Sequence, residues 1–341
     1  MMDDNLATLT EAVKNMSVSE PIFTIYPCPH LSCFEANGAD AKAFLQSQLT
    51  QDVNRIDQGQ AALAGYCTAQ GRLLASMVLH PASVGDSILV LVSADLQEAL
   101  LKRLRMFVLR SKVTLEARPE VIVRAISMTN PQRARAQDHL GHALPDDVWH
   151  CAHESTGTWI KAPSSDAELN RYWWIVTDKV ALELTSNTDG PDEARLSTEL
   201  WRAGDIQAGL PWIEQRTQDL FIPQTVNLDL TEGVSFTKGC YPGQEVVARA
   251  HYRGTVKRRM HLAKAPSGVE ILAGIDVFCP ADGPDPCGRV INAASTRAGV
   301  WVLFEAPIKQ TQTGEFRVGT LDGPVLKVEP LPYHIQPPSP A

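Results

Sequence analysis

Residues 221–259 read FIPQTVNLDLTEGVSFTKGCYPGQEVVARAHYRGTVKRR, and at their centre a turn bounded by glycine and proline carries Cys240 into a helical run. Gly233 to Phe236 is predicted as a short strand, Lys238 to Gly243 as a tight connection, and Gln244 to Ala250 as the start of a helix with Glu245 in its first turn. Gly239 and Gly243 admit backbone angles that other residues resist and Pro242 fixes another, which places Cys240 in a shaped turn. A cysteine near a helix N-terminus and two residues from a lysine is in a setting that favours thiolate. From these residues alone two readings stay open: a reactive thiol serving as nucleophile, ligand or redox group, or a small side chain that fills the turn.

Upstream, GADAKAFLQSQLTQDV (38–53) spaces Ala41, Phe44, Leu45, Gln48 and Leu49 as one face of a helix. AALAGYCT and RLLASMVLH flank the turn Ala69-Gln70-Gly71, and SILVLVS follows, giving three strands of a meander. Asp95 opens a second helix whose expected buried stripe is Leu96, Leu100, Leu104, Phe107 and Val108. KVTLEA and EVIVRAISM read as strands, PQRARAQDHL as a short helix before a variable loop, YWWIVT as a strand and DEARLSTELWRAGDIQAG as helical. After Met260 the texture changes to short strand-like runs (HLAKAP, VEILAG, DVFCP, GRVINAAS, GVWVLFEA, FRVG, VLKVEPL) separated by Gly and Pro, as in a small β-barrel or sandwich. Helices mixed with largely antiparallel strands predict an α+β fold.

The 341 residues are 44% apolar and carry a formal charge of -8. That composition fits a globular chain with a sizeable core and disfavours broad, nonspecific nucleic-acid binding, which runs on Lys and Arg neutralising phosphates. The start, MMDDNLATLTEAVKNMSVSE, has neither the basic and apolar pattern of a signal peptide nor the Arg-rich character of a transit peptide. No run approaches the roughly twenty apolar residues of a membrane span. Seven scattered cysteines do not form a secreted disulfide framework, so a cytoplasmic protein is expected. Cys28, His30 and Cys33, and the pair Cys279 and Cys287, lack the short spacing of a zinc knuckle, and no metal site is assigned to them.

Lys238 to Glu245, KGCYPGQE, resembles the signature of the YgfZ-type folate-binding proteins, relatives of the glycine-cleavage T-protein that include mitochondrial iron–sulfur assembly factors. The flanks FIPQ, NLD, GVSF, VARA, YRG and KRR agree, as do FLQSQLTQDV, the RSKV at 110–113 and the EPLPY at 329–333. The resemblance implies a three-lobed ring around a central tetrahydrofolate site. Its parts would be a flexible tail at 1–20, a folate-binding region of two α+β lobes at 21–259, a C-terminal β-barrel at 260–333 and a disordered tail at 334–341. It also implies that Trp201 stacks on the ligand, although a tryptophan at helical spacing reads by itself as core. Gln207 stands where a glutamate commonly binds the pterin, and offers one donor and one acceptor in its place. Tyr241, Gln244, Glu245, Arg249 and Arg253 complete the implied folate-facing set, with Cys240 and Lys238 as the reactive pair. A second aromatic of some members is replaced by Leu31, and an Asp after the strand cysteine by Thr68.

The T-protein carries two aspartates in the first meander, and the matching positions here are Ala75 and Ser76. A methyl group and a hydroxyl cannot act as a general base near neutral pH. The implied function is therefore a folate-binding accessory protein for iron–sulfur enzymes, including radical enzymes that modify tRNA, which would be partners along with assembly factors. The alternatives are a folate-dependent aminomethyl transferase and a folate-binding module in which Cys240 has no chemical role.

Overall fold

The computed structural model describes residues 22–57, 59–177, 191–252, 256–310 and 314–335. The expected tail at 1–20 lies outside the described residues, as does that at 334–341 apart from His334 and Ile335. The fold is α+β, with two five-stranded sheets and a closed six-stranded barrel.

The first sheet has the order β3 (Ala62–Cys67), β4 (Leu73–Pro81), β5 (Ile88–Ser93), β2 (Leu31–Asn37), β6 (Thr114–Ala117), and its neighbours are antiparallel. The expected meander is β3-β4-β5. Every residue of β4 is buried, which is why its sequence is largely apolar on both faces rather than alternating, with Ser76 and His80 the polar exceptions. Helices α1 (Ala41–Gln48) and α2 (Gln97–Arg105) bury Phe44 and Leu45, and Leu100, Leu101 and Leu104, respectively. Because α2 ends at Arg105, helical spacing no longer governs the chain beyond it; Phe107 is 45% exposed and leaves the expected stripe.

The second sheet has the order β1 (Thr24–Pro27), β7 (Val121–Thr129), β10 (Leu169–Thr177), β9 (Gly157–Ala162), β8 (Cys151–Glu154). Strands β8 and β9 occupy what reads in sequence as a variable loop. Their short hairpin gains its burial from pairing with β10, with Trp159 opposite Trp174, a long-range effect that local composition does not carry. Helix α3 (Asn130–Leu140) starts on a capping box between Thr129 and Gln132. Helix α4 (Pro191–Gln207) runs to Gly209, whose φ is +67°.

The barrel closes in the order β11 (Arg258–Ala265), β14 (Gly299–Pro307), β13 (Pro286–Thr296), β12 (Asp276–Phe278), β15 (Phe316–Val318), β16 (Val325–Glu329). VEILAG is not a strand; it is part of the loop between β11 and β12 and contributes Ile271 to the barrel's own core. The largest cluster of buried side chains crosses all three units, joining β4 and β5 to Trp173, Trp201 and the barrel residues Ile291 and Leu303. No helix among the described residues is long and apolar enough to cross a membrane.

One buried ion pair ties β10 to α4. Arg171 donates to Asp205 at 2.6 Å, and both side chains are 3% exposed or less. The guanidinium also donates to the carbonyls of Pro163 and Trp201, while Trp212 Nε1 donates to the second Asp205 oxygen. Burial pushes the Asp205 carboxyl up, against the opposing pull of Arg171. Asp205→Asn strands a buried guanidinium, so a loss of about 3–5 kcal/mol is expected in chemical denaturation. Replacing Arg171 and Asp205 together by apolar residues of similar volume is expected to recover much of that loss.

Candidate functional site

The signature segment is fastened to the first sheet and its helix α1 at three points. Thr50 accepts Ser235 N–H through its carbonyl at 2.9 Å and donates its hydroxyl to the Gly233 carbonyl at 2.6 Å. The Gly233–Phe236 stretch makes no strand, because beyond these contacts it has no ladder partner. Lys238 is buried, and its ammonium donates to the carbonyls of Gln46 and Leu49 at the C-terminal end of α1. A cation there satisfies carbonyls that the helix leaves unpaired and complements the helix dipole. Burial pulls the Lys238 amine down to about 8. Lys238 Nζ also lies 5.0 Å from the centroid of the Tyr241 ring. The ammonium expected beside the thiol is thus committed to α1.

The third fastening is a contact between two glycines. Gly243 has φ +82°, and a Cβ built on it would lie 2.4 Å from the Thr68 carbonyl oxygen and 2.6 Å from Gly71 Cα. Gly71 itself has φ +74° and closes the β3–β4 turn. Both positions need a left-handed backbone and a bare Cα. Thr68 stabilises the same turn, its hydroxyl accepting Arg72 N–H at 3.2 Å and its carbonyl accepting Gly71 N–H at 2.9 Å. Gly239 needs no glycine for either reason, since its Cβ position is open.

The flanking motif residues join this segment to the barrel. Gln224 donates to the Val247 carbonyl of helix α5 (Gln244–Tyr252). Asn227, at φ +57°, donates to the Met260 carbonyl and accepts Met260 N–H on β11. Asp229 pairs with Arg259 at 2.6 Å. The EPLPY motif docks Tyr333 on the end of α4, where the phenol donates to the Gly209 carbonyl at 2.9 Å.

Cys240 is left exposed at the tip of this framework, whereas the six other cysteines are buried. Desolvation raises the thiols of those six, with Cys33, Cys67 and Cys287 reaching about 12 and Cys151 about 11. Of the remaining expected site residues, Tyr241 is buried, Gln244 half-buried, and Glu245 and Arg249 exposed; Arg253 lies outside the described residues. A cavity of about 540 Å3 is bounded by Gln70 and Arg72 of the β3–β4 turn, Phe221, Val246 of α5, and the barrel residues Arg258 and Arg289. Arg258 is held in a two-point ion pair with Glu305, and Arg289 pairs with Asp276 at 2.8 Å. Arg72 and Arg289 carry no motif in the sequence and come to one cavity only through the barrel's docking.

Trp201 is 2% exposed, and the Arg171 guanidinium carbon sits 3.8 Å from its ring centroid. That face is taken, so Trp201 packs as a core residue and is not displayed for stacking. Gln207 is half-buried and its side chain makes no hydrogen bond with any described residue, which leaves its amide free to meet a donor–acceptor edge. No hydrogen bond, ion pair or ring contact among the described residues joins Trp201 or Gln207 to residues 238–245. Ser76 donates to the Pro211 carbonyl at 2.9 Å and accepts Ile213 N–H at 2.8 Å, and Ala75 beside it is buried.

No family model matches the chain. The fold is that of the T-protein class: the glycine cleavage system aminomethyltransferase T from Bartonella henselae superposes with a TM-score of 0.66 over 97% of this chain and 90% of that one, at 14% identity. The tRNA-modifying protein YgfZ of Escherichia coli O127:H6 (strain E2348/69 / EPEC) is 30% identical over 303 residues, covering 88% of this chain and 90% of the relative. That of Shigella boydii serotype 4 (strain Sb227) is similar to the same extent. The chain belongs to the YgfZ family.

The exposure contrast sets an expected order of reactivity. In native protein, iodoacetamide labelling followed by peptide mass spectrometry is expected to modify Cys240 first, with the six buried cysteines labelled only on unfolding. Equal labelling of a second cysteine under native conditions would contradict the packing described.

Proposed function

We propose that the protein is a cytoplasmic tetrahydrofolate-binding accessory factor that supports iron–sulfur enzymes, including those that modify tRNA, and that Cys240 is its reactive thiol. The observation that carries the thiol assignment is the exposure of Cys240 on a segment whose flanking residues Lys238 and Gly243 are held by α1 and by the β3–β4 turn. A cysteine serving only to fill a turn would be enclosed by it. The role in tRNA modification is supported by family membership; iron–sulfur enzymes and assembly factors as partners come from the resemblance of the signature.

Gln207 fits a pterin edge, because an unpaired amide presents one donor and one acceptor together. Trp201, buried under Arg171, takes no part in this reading as a stacking face. Arg72, Arg258 and Arg289 exceed Asp276 and Glu305 by one charge in the cavity between the β3–β4 turn and the barrel, which suits a carboxylate-bearing folate tail. Bound tetrahydrofolate would supply a one-carbon acceptor or donor, while this chain's residues bind and orient it.

An aminomethyl transferase is disfavoured by chemistry and packing together. The Ser76 hydroxyl is already used twice by the 211–213 backbone, and neither it nor Ala75 can take a proton as a carboxylate does.

Saturating tetrahydrofolate is expected to raise the melting temperature, since a ligand at a hundred times its Kd adds about 2.7 kcal/mol of stability. Gln207→Ala is expected to shrink that shift without lowering the unliganded melting temperature. Cys240→Ser is expected to keep stability and the folate shift while impairing a [4Fe-4S] client enzyme in cells lacking their own relative. No shift with intact tetrahydrofolate would remove the folate reading. Full client activity with Cys240→Ser would remove the thiol.

A further inference from the structure

The segment 99–115, ALLKRLRMFVLRSKVTL, contains Lys102, Arg103, Arg105, Arg110 and Lys112 and no acidic residue, in a chain of net charge -8. All five cations are exposed, and none forms an ion pair with a described carboxylate. Eight arginines elsewhere, among them Arg118, Arg133 and Arg202, do form such pairs. Among the described residues no carboxylate forms an ion pair on this charge, with Glu98 and Glu116 flanking the segment.

Amid these cations stand three large apolar side chains. Met106 is 62% exposed, Phe107 45% and Leu109 86%. Successive turns carry the chain out of α2, with Met106 N–H bonded to Arg103, Phe107 to Leu104 and Val108 to Arg105, so only Val108 of this group still packs on the core. The turn is braced on both sides. Arg105 Nε donates to the Leu115 carbonyl at 3.0 Å, and Asp40 accepts Lys112 N–H at 2.7 Å. Gly38 approaches the Lys112 carbonyl so closely that a Cβ would lie 2.2 Å from its oxygen. The apolar group is therefore displayed by a fixed backbone and not by a loose end.

Contiguous exposed apolar side chains mark an interaction surface, and a surrounding collar of unpaired cations selects an acidic partner. A lipid surface fits less well, because α2 has nine residues and ends before the apolar group, leaving no extended amphipathic helix to lie in an interface. Single-stranded RNA fits less well too, since two of the three side chains are aliphatic and offer no stacking face. We propose that Met106, Phe107 and Leu109, within their collar of cations, are a docking site for an acidic protein segment that carries apolar anchors. The site is independent of the folate reading and goes beyond it.

The full-length protein is titrated, by fluorescence anisotropy, into a labelled peptide alternating Glu with Leu and Phe, with oligoglutamate of equal length as the charge-only probe. Phosphatidylcholine–phosphatidylserine vesicles and polyuridylate are the competing probes. The peptide is expected to bind more tightly than all three, and more weakly as salt rises. Phe107→Ser with Leu109→Ser, and separately Lys102→Glu with Arg110→Glu, are each expected to weaken it by about tenfold or more. Melting temperature and the tetrahydrofolate shift serve as controls and are expected to stay unchanged in both variants, which separates failure here from failure of the folate reading. Equal binding of oligoglutamate with no effect of the Phe107 and Leu109 changes would overturn the proposal, as would absence of peptide binding. Tighter binding to vesicles or polyuridylate, lost in the same variants, would replace the acidic segment by lipid or RNA.

Discussion

The placement of the site depends on one ammonium group inserted into the carbonyl end of a helix. Lys238 reaches across the sequence to the last carbonyls of α1, and in doing so pins the segment that bears Cys240 against the first sheet. A helix end without a partner would leave buried acceptors unsatisfied, at a cost of about 1–3 kcal/mol for each such group. The signature lysine therefore has a structural duty that does not require it to act on the thiol. Five residues later, Gly243 meets Gly71 with no space for a side chain on either. Between these two fastenings the chain has little freedom, and the thiol is carried at the tip.

The same segment holds the barrel. Gln224, Asn227 and Asp229 each bond to α5 or to the first residues of β11, so the signature, its helix and the barrel move as neighbours in one network. This explains why the motif residues of the family extend well beyond the cysteine. Asn227, Asp229, Arg259 and Tyr333 carry hydrogen bonds between units, and their pattern describes a joint as much as a reaction centre. Ser76 belongs to the same logic: where the T-protein has an acid, this chain has a hydroxyl that ties β4 to the 211–213 backbone.

Much of the fold is legible in the sequence. β4, β5 and the YWWIV stretch of β10 are largely apolar because they are buried, and the run of short strands after Met260 is a barrel as expected. The misreadings share a cause, which is that tertiary placement overrode local pattern. β8 and β9 are strands through pairing with β10; VEILAG is a loop because Ile271 is needed inside the barrel; Phe107 faces solvent because α2 stops two residues earlier. At the site, the turn at Gly243 is legible from its glycine, but its partner Gly71 lies in another element, and the acceptors of Lys238 are backbone carbonyls that leave no trace in residue type. Trp201 shows the limit of a motif match: its ring is closed by Arg171, a residue outside any motif.

The central claim is that Lys238 positions the Cys240 segment by capping α1. It is tested most directly by amide hydrogen exchange on Lys238→Met, which keeps much of the side-chain volume and removes the donor. Faster exchange is expected jointly at the C-terminal end of α1 and across 233–243, with the barrel strands β13 and β14 unchanged. Exchange at both places equal to that of the parent protein would contradict the claim.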